Sequence, residues 1–278
     1  MSLHRPRGSL LRGDAAVSLS PEDASWTYSG LHVFEFGPGD EKSLHLPGDE
    51  VVLVPLRGSF HLSSEVLSVT LAGREDLFAE LTDRVYLPPD IPFSLASDAG
   101  GEIAVCTARV ETGGDPTHLA AVDTSVEVRG AGQATRQVNG LWPADVDGPE
   151  KVIVVEVLTP AGNWSSYPPH KHDEWGDGEV PLEEVYYFRI AGENGFGVHR
   201  TYTTDGEIDE TVAVRNGDVF LIPRGYHGPC VAAPGYDMYY LNVMGGPQRD
   251  WLICNDPAHD WVLAEWESVP PDPRLPRA

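Results

Sequence analysis

Apolar positions along this chain come in short runs and not in helical periods. Segments 31–36, 50–56, 83–87, 102–110, 151–158, 184–190, 196–202, 211–214, 218–222 and 238–243 are rich in Val, Ile, Tyr and Phe. Gly, Pro, Asp and Asn bound them, which is the punctuation of β-strands. Asp256-Pro257 reads as an N-cap followed by proline at the first helical position, opening a short helix toward Ser268. Segment 270–278 is Pro-rich and is expected to lie unpacked. Alternating strand–helix units are absent, so the pattern predicts an all-β sandwich or barrel.

The strand pattern repeats. Glu50-Val-Val-Leu-Val-Pro-Leu-Arg-Gly58 lines up with Glu184-Val-Tyr-Tyr-Phe-Arg-Ile-Ala-Gly192, an offset of 134 residues. Val85-Tyr-Leu-Pro-Pro89 lines up with Val219-Phe-Leu-Ile-Pro223 at the same offset. Two tandem copies of one β unit follow, 1–140 and 141–278, joined in a Gly-, Asp-, Thr- and Ala-rich stretch. At this offset Phe93 stands opposite His227, and the first half has no His-x-His.

Composition changes the picture chiefly by exclusion. The 278 residues carry a net charge of −24, which repels phosphate backbones and anionic lipid. Nucleic acid and membrane surfaces are therefore not expected partners. No apolar stretch approaches bilayer length. The early Leu10-Leu11 is interrupted by Arg12, so no secretory signal is read and a cytoplasmic protein is expected. Three widely spaced cysteines form neither a disulfide framework nor a C-x-x-C site.

Chemistry concentrates in the second copy. In Pro168-Pro-His170-Lys-His172, the two imidazoles at i and i+2 share one face of a strand and can reach one ion. Glu184 leads the run Val185-Tyr-Tyr-Phe. Gly217-Asp-Val-Phe-Leu-Ile-Pro223-Arg-Gly225-Tyr-His227 delivers a third imidazole at a strand's end. Three imidazoles and a carboxylate suit Zn, Mn, Fe, Co or Ni without choosing among them. Glu183 would point to the opposite face. The alignment with Glu50 and the alternation that follows favour Glu184.

These residues resemble the cupins, small β-barrels with a first motif of His-x-His and Glu and a second motif supplying a His. Here eleven residues separate His172 from Glu184, where cupins usually have three or four, and one residue separates Gly225 from His227, where two are common. The strings Asn163-Trp-Ser-Ser-Tyr-Pro-Pro-His-Lys-His-Asp173, Leu182-Glu-Glu-Val-Tyr-Tyr-Phe-Arg189, Gly217-Asp-Val-Phe-Leu-Ile-Pro-Arg-Gly-Tyr-His-Gly228 and Ala233-Pro-Gly-Tyr-Asp-Met-Tyr-Tyr-Leu-Asn-Val-Met-Gly-Gly246 narrow the likeness. They resemble the 5-deoxy-glucuronate isomerase family of myo-inositol catabolism, related to the 4-deoxy-5-ketouronate isomerases of pectin breakdown. The resemblance implies a bicupin of two tandem barrels, the first degenerate and without metal ligands. It implies one divalent metal, Zn2+ or Mn2+ foremost, on His170, His172, Glu184 and His227. It also implies interconversion of 5-deoxy-D-glucuronate and 2-deoxy-5-keto-D-gluconate, and a homo-oligomer.

Such an isomerisation needs a group to carry a proton beside the metal. Lys171, Glu174, His199, Tyr186 and Tyr240 are the candidates, with Lys171 alternating away from the metal and Tyr186 facing the barrel interior as core or base. A sugar acid also needs a cation for its carboxylate. Arg200 and Arg224 are the nearest, and parity from Val198 places Arg200 and Tyr202 on an interior face. Asn163, Trp164 and Asn242 are further candidate substrate contacts. Trp175 could cover the mouth, and the carboxylates of segment 173–183 read as a solvated loop. Two other readings use the same ligands: an iron-dependent cupin dioxygenase, and a non-catalytic sugar-acid-binding cupin.

Overall fold

A computed structural model describes residues 2–176 and 178–277. All ten anticipated strands are present, led by Ser29–Phe36, Asp49–Ser64, Gly101–Arg109, Ile153–Thr159, Glu183–Ile190 and Met238–Gly245. The pattern had not picked out Ala15–Leu19, Asp40–Leu44, Ser68–Arg74, Phe93–Ser97, Ser125–Arg129, Arg136–Trp142 or Tyr226–Ala232. Asp40–Leu44, Ser68–Arg74 and Ser125–Arg129 are polar or glycine-broken edge strands, where ladder pairing and not apolar content makes the strand.

The strands close into two barrels set back to back. The first uses a nine-stranded sheet. The second uses two sheets. One runs, in spatial order, through His4–Arg5, Val219–Ile222, Glu183–Ile190, Met238–Gly245, Ile153–Thr159, Arg136–Trp142 and Ser125–Arg129. The other runs through Asp209–Arg215, Phe196–Tyr202, Tyr226–Ala232, His170–Lys171 and Cys254–Asn255. The strand Ser125–Arg129, which precedes residue 141, and Arg136–Trp142, which spans it, thus pair into the second barrel.

Three apolar clusters explain the packing. Val51, Leu53, Leu87, Phe93 and Leu95 fill the first barrel. Tyr186, Phe188, Phe220, Ile222 and Tyr240 fill the second. Val52, Val54, Tyr86, Trp142, Val185, Tyr187, Leu221 and Leu241 lie between them. A strand such as Met238–Gly245 is buried at every position because each face meets a core, so its sequence is continuously apolar and does not alternate. Phe93 is 3% exposed and packs within the first barrel. Phe93→Ala is therefore expected to cost about 3 kcal/mol while leaving metal content unchanged. Urea melts and metal analysis on the same sample check this, and a folded variant without metal would refute it.

The faces correct the repeat register. Glu50 shares its face with Val52, toward the other barrel, whereas Glu184 shares its face with Tyr186, toward the barrel interior. The structural counterpart of Glu50 is Glu183. Glu50 accepts backbone N–H bonds from Glu150, Lys151 and Val152 at 2.6–2.7 Å. Glu183 accepts them from Thr27, Tyr28 and Ser29 at 2.7–2.9 Å. Each carboxylate clamps the opposite half. Glu184 is the inward residue, and it is offset by one from the position equivalent to Glu50.

Two C-terminal expectations also change. Residues 257–260 form a turn, and the helix is Trp261–Trp266. Asp256 caps the turn and not the helix, accepting from Ala258 N at 2.9 Å. The Pro-rich tail is packed. Leu275 is buried, Arg277 N donates to Gln137 at 2.6 Å, and Asp272 N donates to Thr135 at 2.9 Å. Among the described residues no helix is long and apolar enough to cross a membrane.

Candidate metal centre

Three imidazoles and one carboxylate converge between the two sheets of the second barrel. His170 lies directly across the ladder from His227. Glu184 comes from the opposite sheet. His172 follows the short strand His170–Lys171 and is buried, as are Glu184 and His227. His172 Nε2 stands 2.9 Å from Glu184 Oε2, and His227 Nε2 stands 3.2 Å from the same oxygen. Ligand atoms of these three residues all lie within 4.8 Å of one another. His170 sits slightly outside that trio, its ring centroid 4.4 Å from that of His227.

Each imidazole is held by its other nitrogen. Nδ1 of His170, His172 and His227 face the carbonyls of Pro168, Leu182 and Gly225 at 3.4, 3.1 and 3.2 Å. This pattern fixes the tautomer that leaves Nε2 free, as metal-bound histidines require. His227 Nε2 is buried and, despite its distance from Glu184, is off line for a hydrogen bond, so it has no partner among the described residues. A buried, unpaired imidazole nitrogen aimed at a carboxylate fits a divalent cation.

Glycines permit this geometry. Gly225 has φ +89°, and a Cβ there would meet Tyr202 O at 2.6 Å. Gly228 has φ +111°, and a Cβ would meet Ser166 O at 1.8 Å. The residues flanking Tyr226 and His227 can therefore only be glycine if the strand is to approach this closely. Asp173 Oδ2 accepts from Gly225 N at 2.6 Å, tying the segment after His172 to the His227 turn.

Electrostatics follow from burial and proximity. Burial alone would raise the Glu184 carboxyl, but the two imidazoles overcome it and hold it well below the usual carboxylate range. Burial would lower His172, yet Glu184 raises it above an ordinary histidine. Burial and the neighbouring imidazoles push His170 down. Burial pushes the phenols of Tyr186 and Tyr240 well above their ordinary value, so both are protonated donors at neutral pH.

A narrow cleft of about 30 Å³ opens onto the centre. It is lined by His170, Glu184, Tyr186, Tyr240, Asn242 and Ser166, with Arg129, Arg136, Val138, Val157 and Trp251. Of the sequence candidates, Tyr186, Tyr240 and Asn242 line this cleft. Asn242 Nδ2 is buried and unpartnered among the described residues, free to donate to a ligand.

Other candidates lie elsewhere. In strand Phe196–Tyr202 the inward positions are His199 and Thr201, so Arg200 and Tyr202 face outward. Arg200 pairs with Asp209 at 3.2 Å, and Tyr202 hydrogen-bonds Asp256. Valine-based parity misjudged the face because the interior beside a polar site is itself polar. His199 is enclosed, with Cys230 Sγ at 2.9 Å and Thr201 Oγ1 at 3.1 Å taking both ring nitrogens. Burial drops its pKa to about 3. It is a core histidine and does not line the cleft. Glu174 is exposed and, with Asp173 and Glu179, binds Lys171 at 2.9–3.1 Å. That segment is an ion-pair cluster, not a solvated loop, although its Asp177 lies outside the described residues. Lys171 points away from the centre, as alternation predicts. Arg224 pairs with Asp205 and Glu207 on the surface. Asn163 is consumed by Thr135 O, Asp272 and Arg274. Trp164 and Trp175 are exposed and do not line the cleft. Trp251 does. Sequence reasoning missed Trp251, Arg129 and Arg136, which adjoin no motif.

The KduI/IolB family model matches residues 3–262. The chain belongs to the KduI/IolB family. Among relatives of this family, 5-deoxy-glucuronate isomerase of Geobacillus kaustophilus is 41% identical over 250 residues, 89% of this chain and 90% of its own. That of Bacillus subtilis strain 168 is 36% identical over 248 residues, 88% and 91% of the two chains. The crystal structure of an IolB-like protein from Salmonella typhimurium superposes with TM-score 0.89 at 33% identity, covering 95% of this chain and all of that one. An oxalate decarboxylase from Lactobacillus farciminis matches with TM-score 0.66 at 11% identity, over 92% and 88% of the chains. This last likeness concerns the fold, a cupin fold of two tandem barrels.

Proposed function

We propose that this chain is a metal-dependent aldose–ketose isomerase that converts 5-deoxy-D-glucuronate to 2-deoxy-5-keto-D-gluconate in myo-inositol catabolism. Membership of the KduI/IolB family makes it an enzyme of the isomerase class. The finer reading rests on one observation: three imidazoles and one carboxylate converge beside a cleft, each imidazole pinned so that Nε2 points inward. In this reading the metal, Zn2+ or Mn2+ foremost, sits on His170, His172, Glu184 and His227. Residues 141–278 supply all four ligands and residues 1–140 none, although His4–Arg5, Ser125–Arg129 and Arg136–Trp142 join the second barrel. The partner is a small sugar acid, and the setting is cytoplasmic.

A divalent cation held there supplies Lewis acidity that polarises a carbonyl and acidifies the adjacent C–H. The protein's own groups do the rest. The phenols of Tyr186 and Tyr240 donate to substrate oxygens, because burial keeps them protonated. Asn242 Nδ2 offers a further donor. The barrel walls exclude bulk water from the reacting carbons.

A proton NMR time course of 5-deoxy-D-glucuronate with purified protein in D2O tests the proposal. Conversion to the 5-keto acid that stops on chelation supports it, and deuterium at product C1 identifies an enediol route. No conversion by metal-loaded protein defeats it.

Metal binding should depend on pH. His172 is raised by Glu184 in the metal-free protein. Its ion pair therefore stabilises the metal-free fold below the unfolded value of about 6.5, and that contribution is lost as pH rises through the higher folded value. A metal takes the neutral imidazole and displaces this proton. Apparent affinity is expected to weaken about tenfold per pH unit below the folded value and to level off above it. Competition with a chelating indicator between about pH 6 and 8 measures the slope, and a flat profile would contradict the assignment of His172.

A further inference from the structure

The sugar acid has its reacting carbons at one end and its carboxylate at the other. The cleft therefore needs a cation remote from the metal ligands. Arg200 and Arg224 cannot provide it, since both are surface residues paired with carboxylates. We propose that Arg136 is the residue that binds the substrate carboxylate, an assignment that deepens the isomerase reading and rests on it.

Arg136 opens the strand Arg136–Trp142 and lines the cleft with His170, Glu184, Tyr186 and Tyr240. Two residues on, Val138 pairs with Val157, and Val157 pairs with Tyr240. Arg136 thus stands at the Tyr240 end of the wall. Glu184 pairs with Met244, four residues further along the same strand, which at the β rise is about 13 Å. The metal ligands and the arginine thus stand at opposite ends of one cleft wall.

The guanidinium is available. Among the described residues its hydrogen bonds amount to one, from Nη1 to Ala134 O at 3.2 Å. No carboxylate lies within ion-pair distance of it among those residues, and its flat face rests 5.8 Å from the Trp266 ring. Burial lowers its pKa to about 10, so it stays charged at neutral pH. An unpaired, half-buried cation in a protein of net charge −24 is costly unless an anion completes it. A planar fork also matches a carboxylate in geometry. Arg129 faces Arg136 across the ladder, but it is tied to Glu127 at 2.8 Å and lies over Trp251. Arg129 sets the positive field at the mouth, and Arg136 makes the contact.

The test compares 5-deoxy-D-glucuronate with 5-deoxy-D-glucose, which has an alcohol in place of the carboxylate, on wild type, Arg136→Met and Arg136→Lys. Calorimetry reads binding, NMR reads turnover, and metal content and circular dichroism are recorded for each protein. Arg136→Met is expected to weaken binding of the acid, and its kcat/KM, about 100-fold, leaving the alcohol within about threefold. Arg136→Lys should fall between, since it keeps the charge and loses the fork. Equal losses for both sugars, or no loss for the acid, would overturn the proposal. So would a wild type that handles the two sugars equally well, a result that needs no variant to fold. Binding of the acid that needs Arg136 but leads to no turnover would support the anchor while sinking the isomerase reading. Failure of the acid to bind wild type at all would overturn both.

Discussion

Replacing His227 by alanine is expected to empty the metal centre and to lower turnover by about a thousandfold or more. Losing a mere outer partner of a metal ligand costs ten- to hundredfold, and in the proposed function His227 is a ligand itself. Its Nε2 faces Glu184 Oε2 at 3.2 Å, its ring is packed 4.4 and 4.8 Å from those of His170 and His172, and its Nδ1 is held by Gly225 O. The fold should survive. The strand Tyr226–Ala232 keeps its ladder bonds to Phe196–Tyr202, which do not involve the imidazole. The measurement is metal per protomer by elemental analysis beside the NMR rate, with circular dichroism as the control. A folded variant with full metal and full rate would remove His227 from the centre. Imidazole added to the variant should restore some metal, because the space left is that of the ring.

The second large effect lies between the barrels, at a buried ion pair. Arg74, from the first barrel, makes a two-pronged contact with Glu156, from the second, at 3.1 and 2.8 Å. Neither side chain has more than 1% of its surface exposed. Asn139 Nδ2 and Tyr239 Oη complete the carboxylate at 2.9 and 3.0 Å, and Arg74 Nε donates to Pro55 O at 3.2 Å. Burial opposes the guanidinium charge, and Glu156 more than restores it. Glu156→Ala strands that charge in a dry interface. The expected loss is about 4–5 kcal/mol, or a fall in Tm on the order of 10–15 °C for a chain of this size. The paired change Arg74→Met with Glu156→Leu removes both charges and should recover most of the loss, because such a pair contributes little beyond its hydrophobic replacement. Urea titrations of the single and double variants decide this. A single variant as stable as wild type would show that the interface is wet or that the barrels part easily.

Both predictions concern residues with different legibility in the sequence. His227 was readable because a turn motif and a strand motif enclose it within eleven residues of chain. Arg74 and Glu156 were not, since their partners stand 82 residues apart and nothing local marks a buried charge. The repeat illustrates the same boundary. The matched strings at offset 134 located the right strands, yet the faces agree only when Glu50 is set against Glu183. A slip of one residue in a strand reverses every side chain, and string similarity is nearly blind to it.

What the sequence determined by itself was what alternation and local punctuation encode: a strand-rich chain, two copies, and the set His170, His172, Glu184 and His227 brought to one barrel. The departures from usual cupin spacing did not disturb that set, because the extra residues after His172 are gathered by the Lys171 ion pairs and returned to Glu184. What only the tertiary structure decided was which side of a strand faces the cleft and which distant residues complete it. Arg200 and Tyr202 turn outward while His199 turns in, the tail packs against Gln137 and Thr135, and Arg136 enters the cleft from a strand outside every motif. The physical reason is that a strand's face is chosen by the summed burial of both its neighbours, and a site's charge by groups gathered across sheets. Neither quantity is local to the chain.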